Sequence, residues 1–399
     1  AWWLARLWAG RGAWSPRVAA LMLAASPWLV VFTRKVWQIA FVPALALAFV
    51  GLAVSALVGG RHRHLAWAVA AYLVLVQVHP SAVALAPAFL LWLVVFRRQV
   101  RLGPLALGMV LGLATTIPYL IYQVREGWPL LAALQAVPES VTDLEAVRLA
   151  AQAITGSDLP ALAGDAYPLL GLVPELARTF HLATGLAVGG MAVLAWRIVS
   201  GWRAAGGGEA RAARVDLVLV TWLVMPVLFN LRHGLDLHLH SFALIVPAAA
   251  LIVGRALDVL ARNGARGVAA GRVLQAAGPA AVAVLVTMQV TALVLMGRFV
   301  AEHETTGGFG RPLGQTLAVA RAALAAQAGD GAAEVLVVGE GDSPVTDETP
   351  AVLDAVLRGR TAYRFVDGGS AAVFPPHRAV VLLAPGAMEA AFFYGSQPV

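Results

Sequence analysis

Four polar clusters carry nearly all the chemistry this sequence offers. The first runs from Ser26-Pro27-Trp28 to Arg34-Lys35-Val36-Trp37 and sets two cations beside aromatic residues. Arginine gives forked hydrogen bonds and lysine a point charge, a pair suited to holding a phosphate, or to anchoring in lipid headgroups. The second, Gln77-Val78-His79-Pro80-Ser81, breaks two short apolar runs. A helix end there either binds an ion or phosphate or simply turns the chain. The third is Arg232-His233-Gly234-Leu235-Asp236-Leu237-His238-Leu239-His240, leading into an apolar run that contains Pro247. As a strand it puts Asp236, His238 and His240 on one face; as a helix, His233, Asp236 and His240. Its ligand types admit zinc, and its charge suits phosphate or sugar recognition or an interfacial structural cluster. The fourth is Glu302-His303-Glu304, which either lines the mouth of a site or forms a polar hinge. Gly339-Glu340-Gly341-Asp342 lacks the full glycine fingerprint of a nucleotide-binding turn, and that reading is rejected.

Apolar runs must position these clusters. The 399 residues are 60% hydrophobic and only 13% charged, with mean hydropathy +0.77. Soluble domains carry about 25% charged residues. Half that charge cannot coat a soluble globule, which argues against a soluble enzyme, a disordered chain and a nucleic-acid binder. The net charge of +7 changes nothing here, because the arginines fall in short clusters between apolar runs. A single lysine, Lys35, among 29 basic residues fits a GC-rich bacterial genome. With no cysteine, disulfides, thiolate metal sites and cysteine nucleophiles are excluded.

Runs near the ~20 residues that cross a bilayer occupy 18–33, 38–58, 65–78, 82–96, 104–122, 179–198, 215–231, 240–255 and 274–298. The two short ones are either tilted spans or a broken pair. Trp2, Trp3, Trp8 and Trp14 with Arg6, Arg11 and Arg17 read as an interfacial belt. With the N-terminus in the cytoplasm, the inner loops hold 16 basic residues and the outer loops 6, so the positive-inside rule selects this orientation. The inner set includes Arg197 and Arg255, read as loop cations, and hardly any charge falls within the spans. The expected organisation is a multi-span domain, 1–298, with an outer loop at 123–178, followed by an outer α/β cap, 299–399, cut short. Within the loop, Ser140 and Asp143 resemble a capping box opening a helix over 141–154, with Leu144, Val147 and Ala151 on a side that lies on the membrane surface. In the cap, 334–339, 361–366 and 379–383 read as strands and 350–358 as a helix.

Residues 1–125 contain no Asp or Glu, so any carboxylate base comes from later loops or from sequence beyond this chain. The outer-face candidates are Asp143, Glu145, Asp158, Asp165, Glu175, Asp236, Glu302 and Glu304, with Asp236 the first choice.

Three of these segments resemble, in order and spacing, bacterial membrane glycosyltransferases of the GT-C superfamily, in the branch of protein mannosyltransferases and the lipid A aminoarabinose transferase. Residues 26–37 are similar to its "SPW…F-S-R-K-x-W" outer segment. Gln77-Val78-His79-Pro80-Ser81-Ala82 is similar to its "Q-x-H-P-[ST]-A" turn. Leu237 through Pro247 is similar to its "H-Y-F…P" lead into a late span, with Ser241 where that branch carries Tyr. The resemblance implies an all-α polytopic GT-C-like bundle in the bacterial plasma membrane, with its active face extracytoplasmic. It implies an inverting transferase that takes a sugar from a polyprenyl-phosphate donor. It places the catalytic Asp in a first outer loop to which nothing here corresponds. Residues 1–17 are therefore expected to be the remains of the second family span and the loop after it, and no catalytic residue is carried over. Arg34, Lys35, Arg232 and His240 are expected to hold the donor phosphate, with His79, His233, His238, Glu302 and Glu304 lining the site. Membrane lipid and the lipid-linked donor are the expected partners, with no nucleic acid. A divalent metal is left open as a cofactor, and no metal ligand is assigned. Two other classes stay open. A transporter or flippase of a lipid-linked substrate predicts intramembrane charges and paired broken helices; a non-catalytic scaffold predicts no outer catalytic acid.

Overall fold

The structure, a computed structural model, describes residues 2–6, 13–34, 37–135, 139–166, 174–202, 208–265, 269–384 and 387–395. The chain forms two compact units, Ala1–Pro160 with Gly171–Leu295, and Ala161–Leu170 with Met296–Val399.

The first unit is helical. Its elements are α1 (Trp2–Arg6), α2 (Ser15–Ala25), α3 (Pro27–Thr33), α4 (Val42–Leu57), α5 (His64–Val78), α6 (Ala86–Val95), α7 (Leu102–Ala114), α8 (Ile117–Arg125), α9 (Pro129–Gln135), α10 (Glu145–Thr155), α11 (Pro174–Trp202), α12 (Gly208–Phe229) and α13 (Val246–Ala265), with α14 (Ala269–Glu302) running on into the second unit. Among the described residues, five helices are long and apolar enough to cross a membrane: Gln38–Leu57, Thr179–Gly201, Gly208–Phe229, Leu239–Arg262 and Ala276–Glu302. Two more spans are bent pairs, α2 with α3 at 61° and α7 with α8 at 48°. Helix α5 and the stretch Pro80–Val95 are shorter apolar helices. This is the architecture of a polytopic helical membrane protein, and each of the nine apolar runs falls on a helix or a helix pair.

The bends have local causes. Ser26 is extended (φ −62°, ψ 115°) because Pro27 follows it, and Pro27 opens α3 where no N–H is needed. Pro118 falls in the first turn of α8, where it needs no N–H, but Thr116 ahead of that helix keeps helical angles (φ −85°, ψ −10°). Helices α5 and α7 approach closely because Gly108 and Gly112 have no side chain. A Cβ at Gly108 would stand 2.5 Å from the Ala66 carbonyl oxygen, and one at Gly112 would stand 2.5 Å from Leu73 Cδ1.

Polar contacts collect at the two ends of this unit. At one end His62 Nδ1 meets the Gln99 carbonyl at 3.0 Å, and Arg61 and Arg211 line one small cavity. The Asp258 carboxylate accepts the Trp14 and Ser15 backbone N–H groups at 2.6 and 3.3 Å. These are the arginine-rich loops that the charge rule grouped together. The same end corrects two expectations. Arg197 and Arg255 are not loop cations: they lie in α11 and α13 and meet Asp216 of α12. Arg255 Nε donates to Asp216 Oδ1 at 3.0 Å, and Arg197 Nη2 stands 3.4 Å from Oδ2. Asp216 is fully buried and Arg255 is 2% exposed. The spans therefore do hold charge. A hydropathy window averages one carboxylate away, and paired charges are tolerated where each neutralises the other.

At the opposite end the long loop behaves differently from its sequence reading. Helix α10 starts at Glu145, and Asp143 Oδ1 accepts its N–H at 2.9 Å. Ser140 does not cap it: its hydroxyl accepts from Arg232 Nε at 2.8 Å. Nor does α10 rest on its Leu144–Val147 side. Leu144 and Val147 are exposed, while Ala146, Leu149, Ala150 and Ala153 are buried, so the small-residue face packs inward on the bundle. Trp28 Nε1 donates to the Ser157 carbonyl at 3.0 Å, and Gly156 ends α10 at φ +76° against Pro27. A Cβ at Gly156 would lie 2.5 Å from Pro27 Cγ. Left-handed strain and overlap add, so Gly156→Ala is expected to destabilise the protein by about 2 kcal/mol or more. Thermal unfolding in detergent checks this, and an unchanged midpoint contradicts it.

The second unit is α/β. Strands β3 (Glu334–Gly339), β4 (Tyr363–Asp367) and β5 (Ala379–Leu383) form a parallel sheet in the order β4-β3-β5, after the two-stranded pair β1 (Val141–Thr142) and β2 (Arg232–His233) of the first unit. Helices α15 (Leu313–Asp330), α16 (Glu348–Leu357) and α17 (Met388–Gly395) complete it. Strand β3 is buried throughout. Val335 and Val337 pack with Leu353, Leu357 and Leu382, and Leu336 and Val338 pack with Val366, Ala387 and Ala390. That two-sided burial explains why 334–339 reads as an unbroken apolar run.

Candidate functional site

The site is built from chain breaks, each set by its own sequence. Val78 ends α5, and His79 turns extended ahead of Pro80. The His79 ring folds back onto its own turn: Nδ1 accepts the Ser81 N–H at 3.3 Å and meets the Ser81 hydroxyl at 2.7 Å. An N–H donor at Nδ1 makes that nitrogen the acceptor, so neutral His79 carries its proton on Nε2. Gln77, one turn back, donates to Thr115 Oγ1 at 2.9 Å and ties this turn to the bend between α7 and α8.

The other wall comes from residues 232–245. Arg232 and His233 pair antiparallel with Val141 and Thr142. After a stretch without regular structure, Leu239–Ile245 forms a 3-10 turn leading into α13. Buried Trp222 fixes that turn in depth, its Nε1 donating to the Leu244 carbonyl at 3.0 Å, while Trp92 Nε1 ties α6 to α12 through Thr221 Oγ1 at 2.7 Å.

The result joins three of the sequence clusters. The His240 ring stands 5.5 Å from His79, 5.2 Å from His238 and 4.7 Å from Trp37, edge-on to His79 and Trp37. Trp37 in turn meets Phe32 at 6.2 Å, and Phe32 stacks on Trp28 at 5.9 Å. One aromatic ladder thus runs from the Ser-Pro-Trp segment to the Gln-Val-His-Pro turn. Arg34 is exposed, three residues before Trp37, at the end of α3. Lys35 lies outside the described residues.

The remaining candidates separate from this cluster. His233 points to the long loop instead: Nε2 is 3.3 Å from Asp143 Oδ1, and Nδ1 is 3.0 Å from the Leu235 carbonyl. Both partners are acceptors, so both bonds form together only when the ring carries two protons. The Glu145 backbone N–H, and then His233, hold the Asp143 carboxyl below its ordinary range. Arg232 is exposed, with Nε committed to Ser140. Asp236 is exposed and, among the described residues, has no ion pair or side-chain hydrogen bond. Neither face expected for 233–240 forms, because the segment is neither a strand nor a helix across that range. Glu302 and Glu304 belong to the second unit. Glu304 pairs with Arg311 at 3.5 Å, and both line a crevice of about 560 Å³ beside Glu340 and the ends of β3 and β5. Sequence reasoning missed the Asp143–His233 pair, whose partners are 90 residues apart and meet only through the β1–β2 pairing.

Chemically, the cluster offers three imidazoles and an indole close together, with an arginine at its edge. Imidazoles suit a phosphate when protonated, and an indole face suits the C–H face of a sugar. Among the described residues no three His, Asp or Glu side chains are grouped to hold a metal ion. No family model, curated protein or solved structure matches this chain.

Proposed function

We propose that this chain is a membrane glycosyltransferase that moves a sugar from a polyprenyl-phosphate donor to an extracytoplasmic lipid, glycan or protein acceptor at the bacterial plasma membrane. The observation that carries this reading is the meeting of Trp37, His79, His238 and His240, from three distant segments, at one end of an apolar bundle. A polyprenyl donor is confined to the bilayer, so its phosphate sits at headgroup depth. Arg34 at the end of α3 supplies the positive charge that a leaving phosphate needs, and the imidazoles of the cluster add N–H donors beside it. Deprotonating the acceptor requires a base as well. At this end Asp143 is the carboxylate held in place beside a histidine, whereas exposed Asp236 has no such partner among the described residues.

A second reading, a flippase of the same lipid-linked sugar, draws support from the buried Arg197–Asp216–Arg255 group and from the two bent helix pairs. One experiment separates the two. The full chain is reconstituted in vesicles with a short-chain polyprenyl-phosphate sugar and a membrane extract as acceptor source. The expected result is sugar transfer with release of polyprenyl phosphate. Transbilayer movement of the intact donor without transfer favours the flippase, and the absence of donor binding leaves a scaffold.

A further inference from the structure

We infer that the arginine-rich end of the bundle, opposite the histidine cluster, holds a second binding site, for a phosphate group at headgroup depth. Helices α11, α12 and α13 meet there around one buried carboxylate, Asp216, which Arg197 and Arg255 both face. Arg262 is also within electrostatic reach of Asp216 and of Arg197. Three guanidinium groups therefore converge on one aspartate. Glu209, which also acts on Arg197, offsets part of the excess and leaves the group net positive.

The hydrogen bonding is incomplete in the same place. Arg197 Nη1 is buried and has no hydrogen-bond partner among the described residues. A buried guanidinium N–H without an acceptor is costly, and a planar fork with free donors fits two phosphate oxygens. Space is present for them. A cavity of about 600 Å³ is lined by Trp196, Arg197, Ser200, Glu209, Val259 and Arg262. That size falls within the range of small-molecule pockets, roughly 300–1,000 Å³. The lining combines two cations, one carboxylate and a hydroxyl with an indole and an aliphatic side chain; the cations outnumber the carboxylate, which suits an anionic headgroup joined to a glycerol and acyl stem. Basic pockets between membrane helices near their ends take anionic headgroups on the same grounds. The site requires only that the bundle lie in a membrane, and is independent of the transferase reading.

The test uses the purified full chain in a neutral detergent, titrated with short-chain phosphatidylglycerol, with inorganic phosphate and with phosphatidylcholine. Binding is read by native mass spectrometry and by the thermal unfolding midpoint. Phosphatidylglycerol is expected to bind saturably and raise the midpoint. Arg262→Gln should weaken it about tenfold, the loss of one charge-assisted contact, and Arg262→Lys should recover part. Arg262 is exposed and the triad does not hang on it, so the variant should unfold like the parent without lipid. Ala212 also lines the cavity, and Ala212→Trp, which fills it and keeps every arginine, should abolish binding. An equal response to inorganic phosphate assigns the same site to a free anion. Equal binding of phosphatidylcholine, or phosphatidylglycerol binding unchanged in both Arg262→Gln and Ala212→Trp, overturns the inference.

Discussion

Asp216→Ala is expected to lower stability by about 3–5 kcal/mol, the usual cost of removing one partner of a buried ion pair. Asp216 is fully buried and Arg255 is 2% exposed, so the variant leaves two guanidinium groups with no carboxylate. Water hardly reaches Arg255, and arginine cannot shed its proton to escape. The lost energy is thus mostly the penalty of stranded charge, not the worth of the pair. A compensating variant separates the two terms. Asp216→Leu combined with Arg197→Met and Arg255→Met replaces charge by apolar volume and should recover most of the loss. Denaturant unfolding in detergent, followed by tryptophan fluorescence, measures both. An Asp216→Ala midpoint equal to the parent's would mean that the three groups are solvated and the buried arrangement is wrong.

The second large effect belongs to the proposed donor site. Arg34→Ala should weaken binding of a short-chain polyprenyl-phosphate sugar about tenfold or more, since a charge-assisted hydrogen bond contributes about 1.5–3 kcal/mol. Arg34→Lys should restore only part, because the fork is lost. His240→Ala should produce a loss of similar size, because its ring is the meeting point of Trp37, His79 and His238. The two residues differ in their structural cost. Arg34 is exposed, so its removal should leave thermal stability intact, whereas His240 is half-buried against three rings and its removal should lower stability as well. Donor affinity unchanged in Arg34→Ala and in His240→Ala would leave both as interfacial side chains and remove the main support for the transferase reading.

These two predictions fall at opposite ends of one bundle, and they separate its two charged groupings. At the arginine-rich end, charge is buried and answered by a carboxylate within the spans. At the histidine end, charge is exposed, on Arg34, Arg232 and Asp236. A flippase would use the first grouping and a transferase the second, which is why donor binding, transfer and transbilayer movement are measured on the same protein.

Sequence alone determined the helical bundle. Continuous apolar runs of bilayer length, without the alternation of a barrel strand, satisfy their backbone as helices, and each run lies on a helix or a bent pair. It also determined which loops share an end, because arginines segregate, and it located β3 and β5 from short apolar runs. It named His79, His238 and His240 as polar breaks in apolar surroundings, and those breaks are where the rings gather. Tertiary structure alone decided the partners. Only the rotation of α11, α12 and α13 about their axes turns Arg197 and Arg255 onto Asp216. Hydropathy carries no information about that rotation. The same holds for Asp143 and His233, which a two-residue strand pairing brings together. It holds for α10, whose two apolar-looking faces differ only in how closely they let a neighbouring helix approach. The alanine face won because small side chains allow contact along its whole length, leaving Leu144 and Val147 outside.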